Sequence, residues 1–267
     1  KEYYLNSCLG AEEFKQAQGK KIHPRILAFI DQLAVKSEMK ILDLGCGRGD
    51  LAIECARRGA KVVGIDYSKA GIELAKTALA KQSKTIRERV QFKQMDAKKL
   101  SFKENSFDSI TSFDVFEHLY KEELELAMSE MYRVLKPDGV LLVHTETNKL
   151  YLDITHRAWA YPMDQVLISV NKMLTHQSYP GLPEDPRNDL HKQQHVNEPT
   201  YFYLKNLFQR HGFIGEIYAI VPAKPLLSWK DRLYNMLVSL YPLSRLYPFH
   251  LLFAHDYICV MKKTKKI

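Results

Sequence analysis

Residues 41–50 read ILDLGCGRGD, and this stretch decides the fold. An apolar run is followed at once by three glycines within five positions, Gly45, Gly47 and Gly49. Glycine has no Cβ, so a turn of this composition lets the backbone approach a ligand closely. In α/β folds such a turn joins a strand to a helix at the carboxyl edge of the sheet, where ligands bind. The sequence therefore predicts a ligand-binding loop at residues 45–49.

Strand and helix patterns alternate on both sides of this loop. The strand candidates are apolar and rich in β-branched residues, and they read KILDL, KVVGID, VQFKQM, DSITSF, VLLVHTE, GEIYAIV and DYICVMKK. Helical patterns lie between them, with Pro24 and Ser68 at predicted starts, Gly59 and Gly212 at predicted ends, and a turn at KPDG. This order predicts an α/β fold with a doubly wound, mainly parallel seven-stranded sheet and helices on both faces.

The charge is concentrated at the carboxyl end of the chain. The net charge is +8, and residues 222–267 hold eight basic against two acidic side chains, a balance of +6. The nearly neutral main body argues against a nucleic-acid groove across the protein. The four cysteines have no metal-like spacing, which predicts reduced thiols in a cytoplasmic protein. No apolar run reaches the roughly 18 residues of a membrane-spanning helix.

Three kinds of ligand compete for the glycine loop. A phosphate-binding Walker loop needs Lys-Ser or Lys-Thr where this chain has Gly49-Asp50. The dinucleotide fingerprint needs a third glycine at position 50, and a carboxylate there would repel a pyrophosphate at the helix N-terminus. A cationic ligand meets no such objection. The loop therefore favours a positively charged ligand.

Three acids at strand ends carry a family resemblance. The stretch Asp43–Gly49, then Asp66 closing VVGID and Asp96 closing VQFKQMD, resembles the class I S-adenosylmethionine-dependent methyltransferases over roughly residues 22–145. The segments HPRI and FDVFEHL are most similar to the quinone-pathway O-methyltransferases. The resemblance implies S-adenosylmethionine as the cofactor and methyl transfer as the reaction.

The resemblance also implies the cofactor-binding residues. Asp66, followed by Tyr67, would accept hydrogen bonds from the ribose hydroxyls, and Asp96, backed by Ala97, from the adenine amino group. The methionine portion would face the remaining predicted residues: Asp43, the amides of Gly45 and Gly47, the ring of Phe113, and Arg25 as the partner of the cofactor carboxylate.

A single domain is expected over residues 1–267. Residues 22–147 form its cofactor-binding core. Residues 148–198 carry three prolines within seven positions and several histidines, which predicts a loop-rich lid over the methyl acceptor. Residues 222–255 form an aromatic and basic helical insertion before the last strand.

Histidine is the expected base for a hydroxyl acceptor, because its pKa lies near neutrality. His195 is the first choice, followed by His118 and His156. His144, His176 and His191 also fall on the side expected to cover the acceptor. Asp114, Glu117 and His118 could instead hold a divalent cation with a later histidine. We favour Glu117 and His118 as the wall of the cofactor pocket, without a metal.

The segment 222–255 allows two interpretations. Leu233, Met236, Leu237 and Leu240 form one helical stripe, which is typical of a core helix. The same stripe with flanking tyrosines and lysines also suits a peripheral element on an anionic membrane, helped by the basic cluster of residues 262–266. Such an element would suit a small hydrophobic or lipid-linked hydroxyl acceptor, such as a quinone precursor or a glycan. The alternative is a non-catalytic S-adenosylmethionine-binding module that this segment recruits to a membrane or partner.

Overall fold

The computed structural model describes residues 22–146, 148–221 and 228–264, and they divide into two compact units. The described part of the first unit is 22–144, 206–216 and 259–264. The described part of the second is 145–146, 148–205, 217–221 and 228–258. The predicted insertions 148–198 and 222–255, where described, both fall in the second unit.

Seven strands and ten α-helices are assigned in the described residues. The strands are β1 Lys40–Leu44, β2 Lys61–Asp66, β3 Val90–Gln94, β4 Phe107–Phe113, β5 Leu135–Thr145, β6 Phe213–Ile220 and β7 Asp256–Lys263. The helices are α1 Pro24–Asp31, α2 Asp50–Arg57, α3 Lys69–Ala80, α4 Lys84–Arg87, α5 Lys121–Val134, α6 Tyr161–Thr175, α7 Asp189–Gln194, α8 Tyr201–Arg210, α9 Trp229–Val238 and α10 Phe249–Phe253.

The strands form one sheet in the order β3-β2-β1-β4-β5-β7-β6. The pairs β2–β3, β1–β2, β1–β4 and β4–β5 are parallel. The order reverses between β1 and β4, and in open α/β sheets ligands bind at the carboxyl ends of the strands at such a point. The predicted doubly wound, mainly parallel seven-stranded sheet is confirmed.

Local signals in the sequence explain the element ends. The Ser68 hydroxyl accepts a hydrogen bond from the Gly71 amide at 3.2 Å and caps α3. Gly59 after α2 and Gly212 after α8 have φ angles of +99° and +75°, where a side chain would be strained. Pro24 occupies the first turn of α1, as predicted.

Two segments differ from their predictions. Residues 148–175 were expected to be loop-rich, but a π-helical segment, Tyr151–Ala160, continues directly into α6. Buried polar residues such as Thr155 and His156 hid the helical pattern from the sequence. The KPDG turn lies inside β5 as a bulge, since β5 pairs with β4 on both sides of it and Asp138 has a φ of +62°.

Candidate cofactor site

The glycine loop between β1 and α2 lies against the end of β2. The amides of Gly45 and Cys46 both donate to the Ile65 carbonyl at 2.8 Å. Gly45, Gly47 and Gly49 have φ angles of +76°, +49° and +84°. A Cβ on Gly45 would overlap the Val115 side chain, and one on Gly49 would lie 2.5 Å from the Phe92 ring. The loop therefore requires glycine for both its conformation and its packing.

The carboxylate of Asp66 joins this loop to the start of α3. Its Oδ2 accepts from the Gly47 amide at 2.8 Å, and its Oδ1 accepts from the Ser68 amide at 2.7 Å. Asp66 is 7% exposed. An ionised carboxylate has about four acceptor sites and accepts from hydroxyls as well as from amides.

The glycine amides differ from their predicted role. We expected the amides of Gly45 and Gly47 to face the methionine portion of the cofactor. In the structure they donate to Ile65 and Asp66, because the pairing of Leu44 with Ile65 places the loop beside the end of β2. These glycines therefore allow the loop backbone to approach the end of β2 closely.

Asp43 is a buried acid directly before the loop. It is 2% exposed, and its Oδ1 accepts from the Thr111 hydroxyl at 3.0 Å. Its Oδ2 is buried and has no hydrogen-bond partner among the described residues. Burial raises the pKa of Asp43 to about 7 and the Asp66 and Asp50 charges add to the shift, while hydrogen bonds from the Thr111 side chain and the Ala52 backbone oppose it. A buried, under-satisfied acid beside another acid suits a positively charged ligand.

Asp50, the acid that replaces the third glycine of a dinucleotide loop, is paired. Arg48 is 5% exposed, and its Nε and Nη2 lie 3.1 and 2.9 Å from the Asp50 carboxylate. This pair offsets the charge at the start of α2. A pyrophosphate would therefore meet less repulsion from Asp50 than the sequence indicates, while position 50 still lacks the third glycine of a dinucleotide loop.

Asp96 and its neighbours lie after β3, beside the end of β2. The Asp66 carbonyl accepts from the Met95 amide at 3.0 Å. Asp96 is half-buried, and its Oδ1 accepts from the Lys98 amide at 2.9 Å. Ala97 is half-buried and the Tyr67 side chain is exposed. The parallel register thus brings the two acids predicted for adenosine to neighbouring strand ends.

Phe113 and Arg25 both contact His144, which was not among the predicted site residues. Phe113 ends β4 and stacks on the His144 ring, with centroids 4.4 Å apart and planes at 16°. Arg25 Nη2 lies 3.1 Å from His144 Nε2, and His144 Nδ1 contacts the Asp114 carboxylate. His144 is 1% exposed at the end of β5. The sequence signal that could have identified His144 is its position at the end of a predicted strand, the same position that Phe113 has in the preceding strand.

Glu117 and His118 form a 3₁₀ turn, Phe116–His118, in the first unit. Glu117 is fully buried and His118 is half-buried. Asp114 is the first of the three residues that could hold a divalent cation. Its carboxylate contacts Nδ1 of His144. The role of Glu117 and His118 as pocket wall stays a prediction.

The other two candidate bases lie in the second unit. His156 is 1% exposed, and its Nε2 is 2.8 Å from the Pro183 carbonyl. The amide of the preceding residue, Leu182, donates to the buried Asp164 at 2.6 Å. His156 and Asp164 therefore fix the proline-rich loop, and this burial favours a structural role for His156.

His195 follows α7 and is half-buried. Its ring centroid is 4.1 Å from that of His191, whose Nε2 is 3.2 Å from Glu198. Arg187 donates twice to Glu198, at 2.6 and 2.7 Å. Burial alone would raise the pKa of Glu198, but the hydrogen bonds from Arg187 and His191 lower it to about 2. His195 therefore directly follows α7, whose His191 contacts the ionised carboxylate of Glu198.

Comparison with known proteins decides the family. The model of a family described as Methyltransferase domain matches residues 42–143. A demethylmenaquinone methyltransferase from Lactiplantibacillus plantarum is 30% identical over 187 residues, which span 68% of this chain and 73% of that protein. The chain belongs to the class I S-adenosylmethionine-dependent methyltransferases. The predicted family and the cofactor S-adenosylmethionine are confirmed.

Two further proteins are similar to this methyltransferase. A ubiquinone biosynthesis O-methyltransferase from Bartonella bacilliformis is 31% identical over 166 residues, 56% of this chain and 62% of that protein, which is less than two thirds of its length. The structure of an S-adenosylmethionine-dependent methyltransferase from Methanosarcina mazei has a TM-score of 0.56 at 20% identity, covering 92% of this chain and 100% of that chain. The second likeness shows the fold alone.

The residues around the loop fit this cofactor. S-adenosylmethionine supplies a methyl group that its positively charged sulfonium already activates. Asp43 provides an under-satisfied buried acceptor, and Asp66 provides an oriented carboxylate for hydroxyl groups. Gly45 and Gly49 let the loop pack closely against Val115 and Phe92. The chain's contribution is therefore charge complementarity and alignment, which supply much of the rate when the donor is already reactive.

Replacing Asp43 by asparagine should stabilise the ligand-free methyltransferase, and more so as the pH rises. The pKa of Asp43 is raised from 3.8 to about 7, so the folded carboxyl keeps a proton that the unfolded one has lost. Wild-type stability therefore falls between about pH 4 and pH 7, and the loss is complete above pH 7. Asparagine does not titrate, so its advantage should grow across that window to on the order of a few kcal/mol.

Melting temperatures from pH 4 to pH 8 measure this difference. Thr111→Val is the matched control, because it removes the hydrogen bond that lowers the Asp43 pKa and should extend the upper end of the window to higher pH. A difference between wild type and Asp43→Asn that does not change with pH would contradict the assignment.

Proposed function

We propose that the methyltransferase moves a methyl group to a hydroxyl of a small hydrophobic or lipid-linked acceptor, such as a quinone precursor or a glycan. The observation that carries the proposal is that two acids lie around the glycine loop, the buried Asp43 and Asp66, whose carboxylate is oriented by two backbone amides. This arrangement suits a positively charged donor that carries a ribose. The names of the relatives, which refer to demethylmenaquinone and ubiquinone biosynthesis, support a quinone-type acceptor.

The proposed cofactor site keeps the predicted residues with revised roles for the glycines. Asp66, with Tyr67 beside it, would accept hydrogen bonds from the ribose hydroxyls. Asp96, with Ala97 beside it, would accept one from the adenine amino group. The methionine portion lies near Asp43, Gly45, Gly47, Phe113 and Arg25. The short spacing of these residues along the carboxyl edge supports one continuous cofactor site in the first unit.

His195 is the proposed general base, with His118 as the alternative. Both are half-buried, whereas the Nε2 of His156 already contacts the Pro183 carbonyl and its ring is buried. We place Glu117 and His118 in the pocket wall, without a metal. The described cysteines Cys46, Cys55 and Cys259 are buried and form no disulfide, which supports a cytoplasmic setting.

His195→Ala should lower kcat on a hydroxyl acceptor by roughly 10²- to 10⁴-fold, the usual contribution of a positioned base. The KM for S-adenosylmethionine should change little, because the residue does not belong to the proposed cofactor site. The measurement is a pH–rate profile on a panel of hydroquinones and catechols. The acidic limb of the wild-type profile should disappear in the variant.

Two controls accompany this test. His191→Gln changes the neighbouring ring without removing the proposed base, so its kcat should stay near wild type. His118→Ala tests the alternative base. An unchanged kcat in His195→Ala, with a large loss in His118→Ala, would reverse the assignment.

The second unit carries an exposed apolar surface that suits a membrane. Leu243, Leu246, Tyr247 and Phe249 are 43–76% exposed, and we call these four residues the apolar patch. Arg245 lies within it and is also exposed. No described helix is both long and apolar enough to cross a bilayer. Peripheral contact with an anionic surface is therefore the form of membrane association we propose.

The structure revises two parts of the predicted membrane element. In the leucine stripe, Leu233 and Met236 are exposed while Leu237 and Leu240 are half-buried, so the stripe is not a buried core face. Lys263 was expected in a surface basic cluster, but it is 9% exposed and its ammonium donates to the Leu135 carbonyl at 2.6 Å. Residues 222–227 and 265–267 lie outside the described residues.

Leu243→Ser with Leu246→Ser should reduce binding to anionic vesicles without lowering the melting temperature. The two side chains are 55% and 59% exposed, so little packing is lost. The wild type should bind anionic vesicles more strongly than neutral ones. Its binding to anionic vesicles should weaken with salt, since each nearby basic residue contributes about 1 kcal/mol through a screened field. Co-sedimentation with vesicles of mixed anionic and neutral lipid measures both effects.

The matched control is Leu126→Ser, an equally exposed leucine (56%) on α5 in the first unit. It should leave vesicle binding unchanged. If the double variant binds vesicles like the wild type, the apolar patch is not the membrane contact.

A further inference from the structure

Three side chains of the first unit form a continuous chain at the carboxyl edge of the sheet. Arg25 Nη2 lies 3.1 Å from Nε2 of His144, and Nδ1 of His144 contacts the Asp114 carboxylate. We call this set the Arg25–His144–Asp114 chain. Arg25 is on α1, His144 is on β5 and Asp114 follows β4, so three separate elements supply it.

The partners fix the protonation state of His144. A carboxylate can only accept, so the Nδ1 that contacts Asp114 carries the ring proton. A guanidinium can only donate, so the Nε2 that faces Arg25 is the unprotonated acceptor. This tautomer is assigned from the hydrogen-bond partners. His144 is therefore a neutral link between an acid and a guanidinium, and it does not act as a general base.

The backbone and the rings hold this link rigidly. The Asp114 amide donates to the His144 carbonyl at 3.1 Å, and Asp114 adopts a φ of +55°. Phe113 stacks on the His144 ring, and the Phe29 ring packs edge-on against Phe113 at 4.9 Å. A positive φ in a residue other than glycine is strained and persists where surrounding contacts impose it, often at functional sites.

The chain lies beside the glycine loop. Leu44, the last residue of β1, pairs with Ser112, and the next residue of β4, Phe113, pairs with His144. A Cβ on Gly45 would overlap Val115, the residue after Asp114. The segment that carries Asp114 therefore forms one side of the loop.

We propose that His144 and Asp114 are positioning residues that orient the Arg25 guanidinium toward the carboxylate of the cofactor's methionine portion. The inference rests on the proposed assignment of Arg25. Asp114 fixes the ring proton, the ring fixes one guanidinium nitrogen, and the planar fork of arginine then has a set direction for a bidentate carboxylate. The effect of the chain is specificity for the amino-acid end of the ligand.

Two ligands separate this role from a purely structural one. S-adenosylhomocysteine has the amino-acid end, and 5′-methylthioadenosine lacks it while keeping the adenosine. Arg25→Gln should weaken S-adenosylhomocysteine binding by about tenfold or more, since a hydrogen bond to a charged group is lost, and leave methylthioadenosine binding unchanged. Calorimetric titration of both ligands into the full chain measures this without any acceptor.

Two substitutions at His144 then test the positioning. His144→Asn keeps an amide donor near the Nδ1 position and loses the acceptor for Arg25, so it should follow Arg25→Gln for both ligands. His144→Gln keeps an acceptor near the Nε2 position, so it should lose less affinity for S-adenosylhomocysteine. Asp114→Asn, which preserves size and can still accept from Nδ1, should show a smaller selective loss than His144→Asn.

The outcomes distinguish the inference from the assignment on which it rests. If Arg25→Gln weakens both ligands equally or neither, the assignment of Arg25 is wrong and the inference falls with it. If Arg25→Gln is selective but His144→Asn is not, Arg25 keeps its role and the positioning is wrong. If His144→Asn does not fold, Asp114→Asn and His144→Gln decide, and equal losses for both ligands overturn the inference.

Discussion

The hydrogen bond from the Gly47 amide to the Asp66 carboxylate joins the two loops that build the cofactor site. One loop follows β1 and the other follows β2, and the register of these strands brings the two loops together. The second oxygen of Asp66 accepts from Ser68, whose own hydroxyl caps α3. A single carboxylate thus contacts both the glycine loop and the start of a helix, and it is the acceptor we propose for a ribose. Its charge is shared with two backbone donors before any ligand binds.

The site concentrates negative charge, and the chain compensates for only part of it. Asp50 has Arg48 as a partner, and Asp114 has His144, which in turn contacts Arg25. Asp43 is buried and accepts from the Thr111 hydroxyl, and burial raises its pKa to about 7 despite that hydrogen bond. A ligand with a positive charge offsets this cost on binding. We therefore expect the buried charge that destabilises the ligand-free protein to favour a sulfonium cofactor over an anionic nucleotide.

Repeating local signals made the fold predictable from the sequence. The seven strands, the cap at Ser68 and the helix end at Gly212 follow from apolar patterning, a short polar side chain and a glycine conformation. The three acids at strand ends are local as well, because each directly follows or ends an apolar run. These features depend on neighbours within a few residues.

Features that depend on distant partners could not be predicted in the same way. The partners of His144 lie 119 and 30 residues away, so its link between Arg25 and Asp114 is invisible to spacing. Lys263 is expected from the sequence to be exposed, yet a carbonyl 128 residues away accepts a hydrogen bond from its ammonium group. The helix at residues 151–175 was missed because the polar residues on its buried side have their partners in the loop at Leu182 and Pro183.

The central claim is that Asp66 recognises the ribose while it holds the glycine loop. S-adenosylhomocysteine and its 2′,3′-dideoxy analogue, titrated calorimetrically into wild type and into Asp66→Ala, test it from the ligand side and the protein side together. The account predicts that wild type prefers S-adenosylhomocysteine by at least about tenfold, because two hydroxyl donors to a carboxylate are lost, and that the preference largely disappears in Asp66→Ala. Equal affinity of the wild type for both ligands would contradict it.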